Sequence, residues 1–379
     1  MKNLSGEEKC PVQQHVEEMK VRLEFLPHSP AFFERLLLVQ NANSHFHADD
    51  WRSLSAPVIS TDLGVRRFDA FRDFYLEHCR IADIVPLPDQ IVTQWLTQDP
   101  ESFHARADAA LTFFGTYQAV SEAICQIFNS LLKEGSYETL ILAGTVLASM
   151  SDSKARILFE QASAIAPSTT ERYLAQHRLA ATEIKRFSEN SKGIEILHAN
   201  AAELGELEQA LRLNLEALAL VRDGTPHAAE NLLTDAKLIA TRASHSGRLS
   251  HVEKSMAARY LSQIAINIAQ LKVAEEEYDA AVRELTENCS YLARSAPEYL
   301  SEALSELACA LYFANRFESA IQIANQAFGR LYSIGDIRSI KALREIVVAS
   351  YFKLGEENKA EKAADLIESD ILGFQGFDL

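Results

Sequence analysis

Residues 44–51 read SHFHADDW and gather His45, His47, Asp49 and Asp50 within six positions. Two histidines at i and i+2 with a following carboxylate can ligate zinc when the backbone is extended or turning, because imidazole nitrogen and carboxylate oxygen are both ordinary zinc donors. The alternative is a polar loop that begins a helix, with Asp49 or Asp50 near its positive end. His78 and Cys79 are adjacent, but neighbouring helical residues point to different faces, so they make no nucleophile–base pair by themselves. The chain carries no GxSxG, Walker A, GxGxxG or HExxH string, the motifs that would announce acyl transfer, phosphate binding, dinucleotide binding or zinc proteolysis. No catalytic residue and no cofactor is assigned, and the chain reads as a binding protein rather than an enzyme.

The string at His45 resembles the H-x-H-x-D signature of the metallo-β-lactamase superfamily. That resemblance implies His45 and His47 as metal ligands, with Asp49 or Asp50 serving a second metal, and a metal-dependent enzyme. The αββα fold of that family needs many strands, and the rest of this chain is patterned for helices. The metal-free loop is therefore the reading adopted.

The elements that would hold any site follow from composition. The chain has 379 residues, 47% hydrophobic and 24% charged, with 14 glycines and 10 prolines. A disordered chain needs lower hydrophobicity, and so few turn formers favour long helices. The net charge is −16. Residues 1–100 carry 10 basic against 15 acidic side chains, and the remainder 27 against 38. Neither part offers the basic stripe that phosphate backbones require, so nucleic acid is not an expected partner. Five cysteines (Cys10, Cys79, Cys125, Cys289 and Cys309) are scattered without a CxxC pair and read as small buried hydrophobes in a reducing compartment. The opening MKNLSGEEKC lacks the apolar core of a secretory leader, and no run of 18 apolar residues suggests a membrane span. A cytoplasmic location is expected.

A repeat runs through the C-terminal two-thirds. In Ser301–Arg330, Leu304, Leu307, Ala308 and Leu311 share one helical face. Asn315 and Arg316 make a polar turn, and Phe317, Ala320, Ala324 and Ala327 line a second helix. Small residues at Ala308, Ala320 and Ala327 let antiparallel helices pack ridge into groove. Similar frames begin near Ser136, Leu174, Ala210, Ser262 and Lys341. The small positions of the second helices fall at 155, 193, 229, 281, 320 and 360, giving steps of 38, 36, 52, 39 and 40. The pattern resembles the tetratricopeptide repeat family, whose step is 34 residues. Helices or turns here are therefore longer, with extra length near residues 244–248. The resemblance covers about residues 136–370 and implies an all-α fold, a right-handed superhelix of helix pairs. The segment 101–134 reads as two helices around Gly115, a degenerate first repeat.

Residues 1–100 lack the repeat and hold seven of the ten prolines. They are expected to form a small, mostly helical domain, with residues 101–379 forming the repeat domain. Phe32–Gln40 and Val65–Cys79 are its predicted helices, and Val58–Ser60 is a candidate strand. Val65, Phe68, Phe71, Phe74 and Tyr75 form an apolar stripe, with Arg66, Arg67 and Arg72 off it. A helix-turn-helix would use those arginines, together with Arg52, on phosphates. A solvated face balanced by Asp69, Asp73 and Glu77 is the preferred reading.

The tetratricopeptide resemblance implies a concave surface lined by the first helix of each pair. The corresponding positions here are Arg178 and Lys185, then Asn214, then Asn267 with Gln270, then Tyr312. Carboxamides both donate to and accept from a peptide backbone, and arginine holds a carboxylate bidentately. The set suits an extended peptide with an acidic group or free C-terminus. The Lys–Asn clamp of chaperone-tail binders is not matched: Leu140 and Gly144, Ser305 and Cys309, or Ile266 and Gln270 stand there. The overall plan is similar to the cytosolic peptide-pheromone sensors of bacteria. The expected function is a non-enzymatic protein- or peptide-binding scaffold, with a homodimer left open. The runner-up is a ligand-responsive regulator whose N-terminal domain acts on DNA or a signalling protein.

Overall fold

The computed structural model describes residues 10–26, 30–42, 68–199, 204–245, 251–334 and 337–369. Among them there is no strand, and nearly all are helical. No described helix is long and apolar enough to cross a membrane. The candidate strand Val58–Ser60, the metal-like set His45, His47 and Asp49, and the arginines Arg52, Arg66 and Arg67 lie outside the described residues. The chain divides into two compact units, Met1–Met150 with Tyr332–Arg338, and Ser151–Leu331 with Ser339–Leu379.

The first unit contains α1 (Pro11–Leu23), α2 (Pro30–Asn41), α3 (Phe68–Ala82), α4 (Asp89–Thr97) and α5 (Phe103–Ala109). The last runs into a π turn, Ala110–Phe114, and is followed by α6 (Tyr117–Gln126), α7 (Phe128–Glu134) and α8 (Tyr137–Ser149). Proline opens α1 at a position where the missing N–H costs nothing, and Val12, Val16, Met19 and Leu23 bury one stripe. Of the predicted stripe on α3, Phe71, Phe74 and Tyr75 are buried. The Tyr75 hydroxyl meets His15 Nε2 at 2.8 Å and accepts the Leu87 N–H at 2.8 Å. Arg72 lies 3.7 Å from the Asp89 carboxylate. Arg106 donates to the Trp95 carbonyl at 2.8 Å, and the Thr116 hydroxyl donates to Asp89 at 2.9 Å. Packing thus continues past residue 100, where the proline content changes, and the compact unit reaches Met150. Proline marks where the chain turns, whereas the unit follows which side chains interlock.

The second unit begins with α9 (Lys154–Ile165) and α10 (Thr169–Thr182), the latter running into a π turn at Glu183–Phe187. There follow α11 (Asn190–His198), α12 (Glu206–Arg222), α13 (Pro226–His245), α14 (His251–Ala274) and α15 (Tyr278–Ser295). A short 3₁₀ turn, Pro297–Tyr299, leads to α16 (Leu300–Phe313), α17 (Phe317–Ile334), α18 (Ile337–Lys353) and α19 (Glu357–Ser369). Successive helices share apolar clusters. Leu213 and Ala217 of α12 meet Ala229, Leu233 and Ala236 of α13 and Ile264 of α14. Ile266 and Ala269 of α14 meet Ala281 and Leu285 of α15, Leu307 and Leu311 of α16, and Ala320 of α17. These are the helix pairs that the spacing of small residues predicts.

The backbone repeats more strictly than the side chains. Gly224, Glu276, Asn315 and Gly355 all have left-handed φ, at 78°, 62°, 57° and 75°. At each, the next N–H reaches back five residues: Thr225 to Leu220, Glu277 to Lys272, Arg316 to Leu311 and Glu356 to Tyr351, all at 2.9 or 2.8 Å. This is the Schellman closure, which satisfies the last carbonyls of the first helix. The left-handed residue stands five positions before the small residue of the second helix, Ala229, Ala281, Ala320 or Ala360. Ser188 (φ 58°) keeps the same offset to Gly193, but here Glu189 N–H reaches back six residues, to Glu183. The π turn inserts the extra residue. The 52-residue step is taken up mainly by helix: α13 has 20 residues and α14 has 24.

Candidate functional site

The first helices of the second unit stand in the order α10, α12, α14, each packed on the next. On them lie the predicted groove residues. Ser168 opens α10 by accepting the Glu171 N–H at 3.1 Å, the N-cap that frees the helix from its orphan donors. Tyr173 and His177 are buried on α10, and Arg178 beside them is half-buried and engaged with protein groups. Lys185 sits in the π turn.

Lys185 is exposed, yet burial is the chief cause holding its ammonium below the ordinary lysine pKa, and the like charges of Arg186 and Arg222 push the same way. No described carboxylate is among the charges that act on it. Burial pushes the His177 pKa down to about 3, with the charges of Lys185 and Arg178 adding to the effect and the Leu211 carbonyl opposing it. The ring is therefore neutral under ordinary conditions. Its Nε2 and the Tyr173 hydroxyl are buried without a protein partner.

Asn214 of α12 and Asn267 of α14 are linked: Asn267 Nδ2 donates to Asn214 Oδ1 at 2.7 Å, and Gln263 donates to Asn267 Oδ1 at 3.3 Å. All three are half-buried. The row leaves amide hydrogens and carbonyl lone pairs in hand, since each carboxamide can make about four hydrogen bonds. Gln270, one turn on, is exposed. Tyr312 closes α16 and packs against the Phe313 and Phe317 rings, both with centroids 5.7 Å away. Arg178, Lys185, Asn214 and Asn267 thus share the α10–α12–α14 row, while Tyr312 belongs to an aromatic cluster at the end of a later helix.

Sequence reasoning missed the most buried charge. The Glu183 side chain, 0% exposed, accepts from Arg156 Nε at 2.8 Å and Nη2 at 2.6 Å and from Lys192 Nζ at 2.6 Å. Burial alone would raise this carboxyl, but the hydrogen bonds and charges of Arg156 and Lys192 outweigh it and hold it below the ordinary glutamate range. The Arg156 guanidinium also lies 4.1 Å from the Phe187 ring centroid. This lock fixes the π turn and with it Lys185. The signal was faint: a charged residue on a helix usually reads as solvated.

One donor set elsewhere has ligand-like spacing. His227, Glu230 and Glu275 bring one donor atom each within 4.8 Å of one another. Lys272 already stands among these acids, 2.6 Å from Glu230, 3.4 Å from Glu275 and 3.0 Å from Glu277, and supplies their positive charge.

No protein-family model matches the chain, and no curated protein matches it. Among solved structures it is similar to a signal transduction ATPase with numerous domains, carrying a tetratricopeptide repeat sensor, from Pyrococcus horikoshii. The identity is 13% and the TM-score 0.33, over 94% of this chain and 58% of that one. The chain therefore spans a little over half the length of that protein.

Proposed function

We propose that this chain is a non-enzymatic scaffold that binds a protein or peptide segment along the α10–α12–α14 row, using Arg178, Lys185, Asn214 and Asn267, with Gln270 at its edge. Tyr312 has a smaller part, because its ring is held by Phe313 and Phe317. The observation that carries the reading is the half-buried Asn267–Asn214 pair at 2.7 Å. Two carboxamides on adjacent first helices, oriented by one another, present a donor and an acceptor at a fixed spacing. An extended peptide backbone offers the complementary pair. Their accessible position argues against a purely internal bond, since a buried pair would be sealed by apolar neighbours as Asn288 and Ser262 are, at 3.1 Å.

The test is affinity selection of a random heptapeptide library on the immobilised full chain, followed by calorimetric titration of the enriched peptides. Asn267→Ala is expected to weaken binding by about tenfold, the worth of one or two hydrogen bonds, with an unchanged melting temperature. No enrichment, or equal affinity in the variant, would overturn the proposal.

A further inference from the structure

One phenol oxygen joins three parts of the first unit. Tyr75 of α3 is buried. Its hydroxyl lies 2.8 Å from His15 Nε2 of α1 and accepts the Leu87 N–H, from the segment between α3 and α4, at 2.8 Å. The His15 ring is also buried, with its centroid 5.9 Å from that of Tyr75 and 6.5 Å from that of Phe114. The links from Gln40 to Glu17 and from Arg22 to the Ala82 and Asp83 carbonyls, which also tie α1 to the unit, are exposed or partly so. A phenol has one proton to give and two lone pairs to offer. Burial keeps the Tyr75 phenol protonated. Leu87 takes one lone pair, so the proton goes to His15 Nε2, which accepts it only while that nitrogen is bare. Cys79, one turn on, acts on the same hydroxyl, and burial pushes its thiol up to about 11, which leaves a neutral S–H for the second lone pair.

We propose that the Tyr75 hydroxyl is a proton-operated latch on α1: a neutral His15 keeps the helix docked on the first unit, and a proton on His15 Nε2 releases it. Protonation turns the acceptor into a donor that faces a donor, with two hydrogens between heavy atoms 2.8 Å apart. The surroundings hold little to stabilise an imidazolium. Glu18 of α1 favours the charged ring but is exposed and paired with Arg22 at 3.0 Å. Asp89 of α4 lies 3.7 Å from Arg72 of α3, whose guanidinium is 5.6 Å from the Tyr75 ring centroid. Arg35 of α2 lies over the Phe71 and Phe74 rings, and His78 of α3 is stacked on Phe32. Burial outweighs Glu18 and holds the docked His15 below the ordinary histidine value. Docking is therefore at full strength above about pH 6.5 and weakens as pH falls towards the docked value.

The experiment is amide hydrogen exchange of the full chain, read by mass spectrometry from pH 7.5 down to pH 4.5 and corrected for the intrinsic rate at each pH. Peptides from α1 are compared with peptides from α6. In the parent chain, exchange of α1 should quicken below pH 6.5 by up to about tenfold per pH unit, the limit for one linked proton, while α6 keeps its protection. His15→Gln keeps an acceptor for the hydroxyl and carries no titratable ring, so its α1 should stay protected across the range. Tyr75→Phe removes the latch itself: α1 should exchange about tenfold faster at pH 7.5, with a smaller further rise in acid. If Tyr75→Phe fails to fold, the comparison of parent with His15→Gln decides alone. A flat α1 profile in the parent, an equal acid rise in His15→Gln, or loss of protection in α6 together with α1 would overturn the latch. An acid rise undiminished in a folded Tyr75→Phe would overturn the part given to the hydroxyl.

Discussion

Arg156 grips Glu183 with two hydrogen bonds, at 2.8 and 2.6 Å, across 27 residues of sequence and from one helix to the π turn that ends the next. The carboxylate has no exposed surface, so removing its partner strands a buried charge. Arg156→Ala is expected to cost about 3 kcal/mol, the low end for breaking a buried pair, because Lys192 remains. Urea denaturation checks it; a loss below about 1 kcal/mol would mean water reaches Glu183.

The same lock predicts a pH dependence. Glu183 has a folded pKa below its unfolded value, so folding favours its charged form. The stabilisation is full above the unfolded carboxyl range, near pH 4.3, and is lost as pH falls through the lower folded value. In Glu183→Gln this part of the acid limb should flatten. An unchanged slope of stability against pH would show that other carboxylates carry it.

Gly193 is the small residue of its repeat for a steric reason. A Cβ there would stand 2.4 Å from Ile184 Cγ1 and 3.0 Å from the Ala180 carbonyl oxygen. Gly193→Ala should therefore destabilise by about 1–3 kcal/mol through overpacking. Ile184→Val should recover part of that loss in the double variant. Additive effects of the two substitutions would place the strain elsewhere.

The turn residues show what the sequence could and could not reveal. Gly224 has open space around its absent Cβ, so Gly224→Ala isolates the backbone cost of left-handed φ, about 1–2 kcal/mol. Asn315→Gly should cost nothing, because asparagine already tolerates that conformation only with strain. A thermal melt separates the two. Glycine at 224 and 355 suits that conformation, whereas Ser188 and Glu276 adopt it because closure of the preceding helix imposes it on them. The helix pairs were legible from the spacing of small residues, whose burial is a direct consequence of helix approach. The π turns at Ala110–Phe114 and Glu183–Phe187 left no trace, since an inserted residue looks like an irregular step. Among the site residues, Asn214 and Asn267 stood out as carboxamides on first helices and do meet. Tyr312 stood in the same frame, but its ring packs with Phe313 and Phe317.

His177 gives the most direct check on the electrostatics of the row. Burial, then Lys185 and Arg178, push its pKa down to about 3, against about 6.5 in an unfolded chain. Folding therefore favours the neutral ring. Its stabilisation is full above the unfolded value and is lost as pH falls from about 6.5 towards 3. In a ¹H–¹⁵N spectrum selective for histidine, His177 should hold one neutral tautomer from pH 8 to pH 5. Lys185→Met removes one of the two cations acting on the ring and should raise the His177 midpoint without changing the tautomer. If His177 titrates near pH 6.5 in the parent chain, water reaches its ring and the two cations do not act on it.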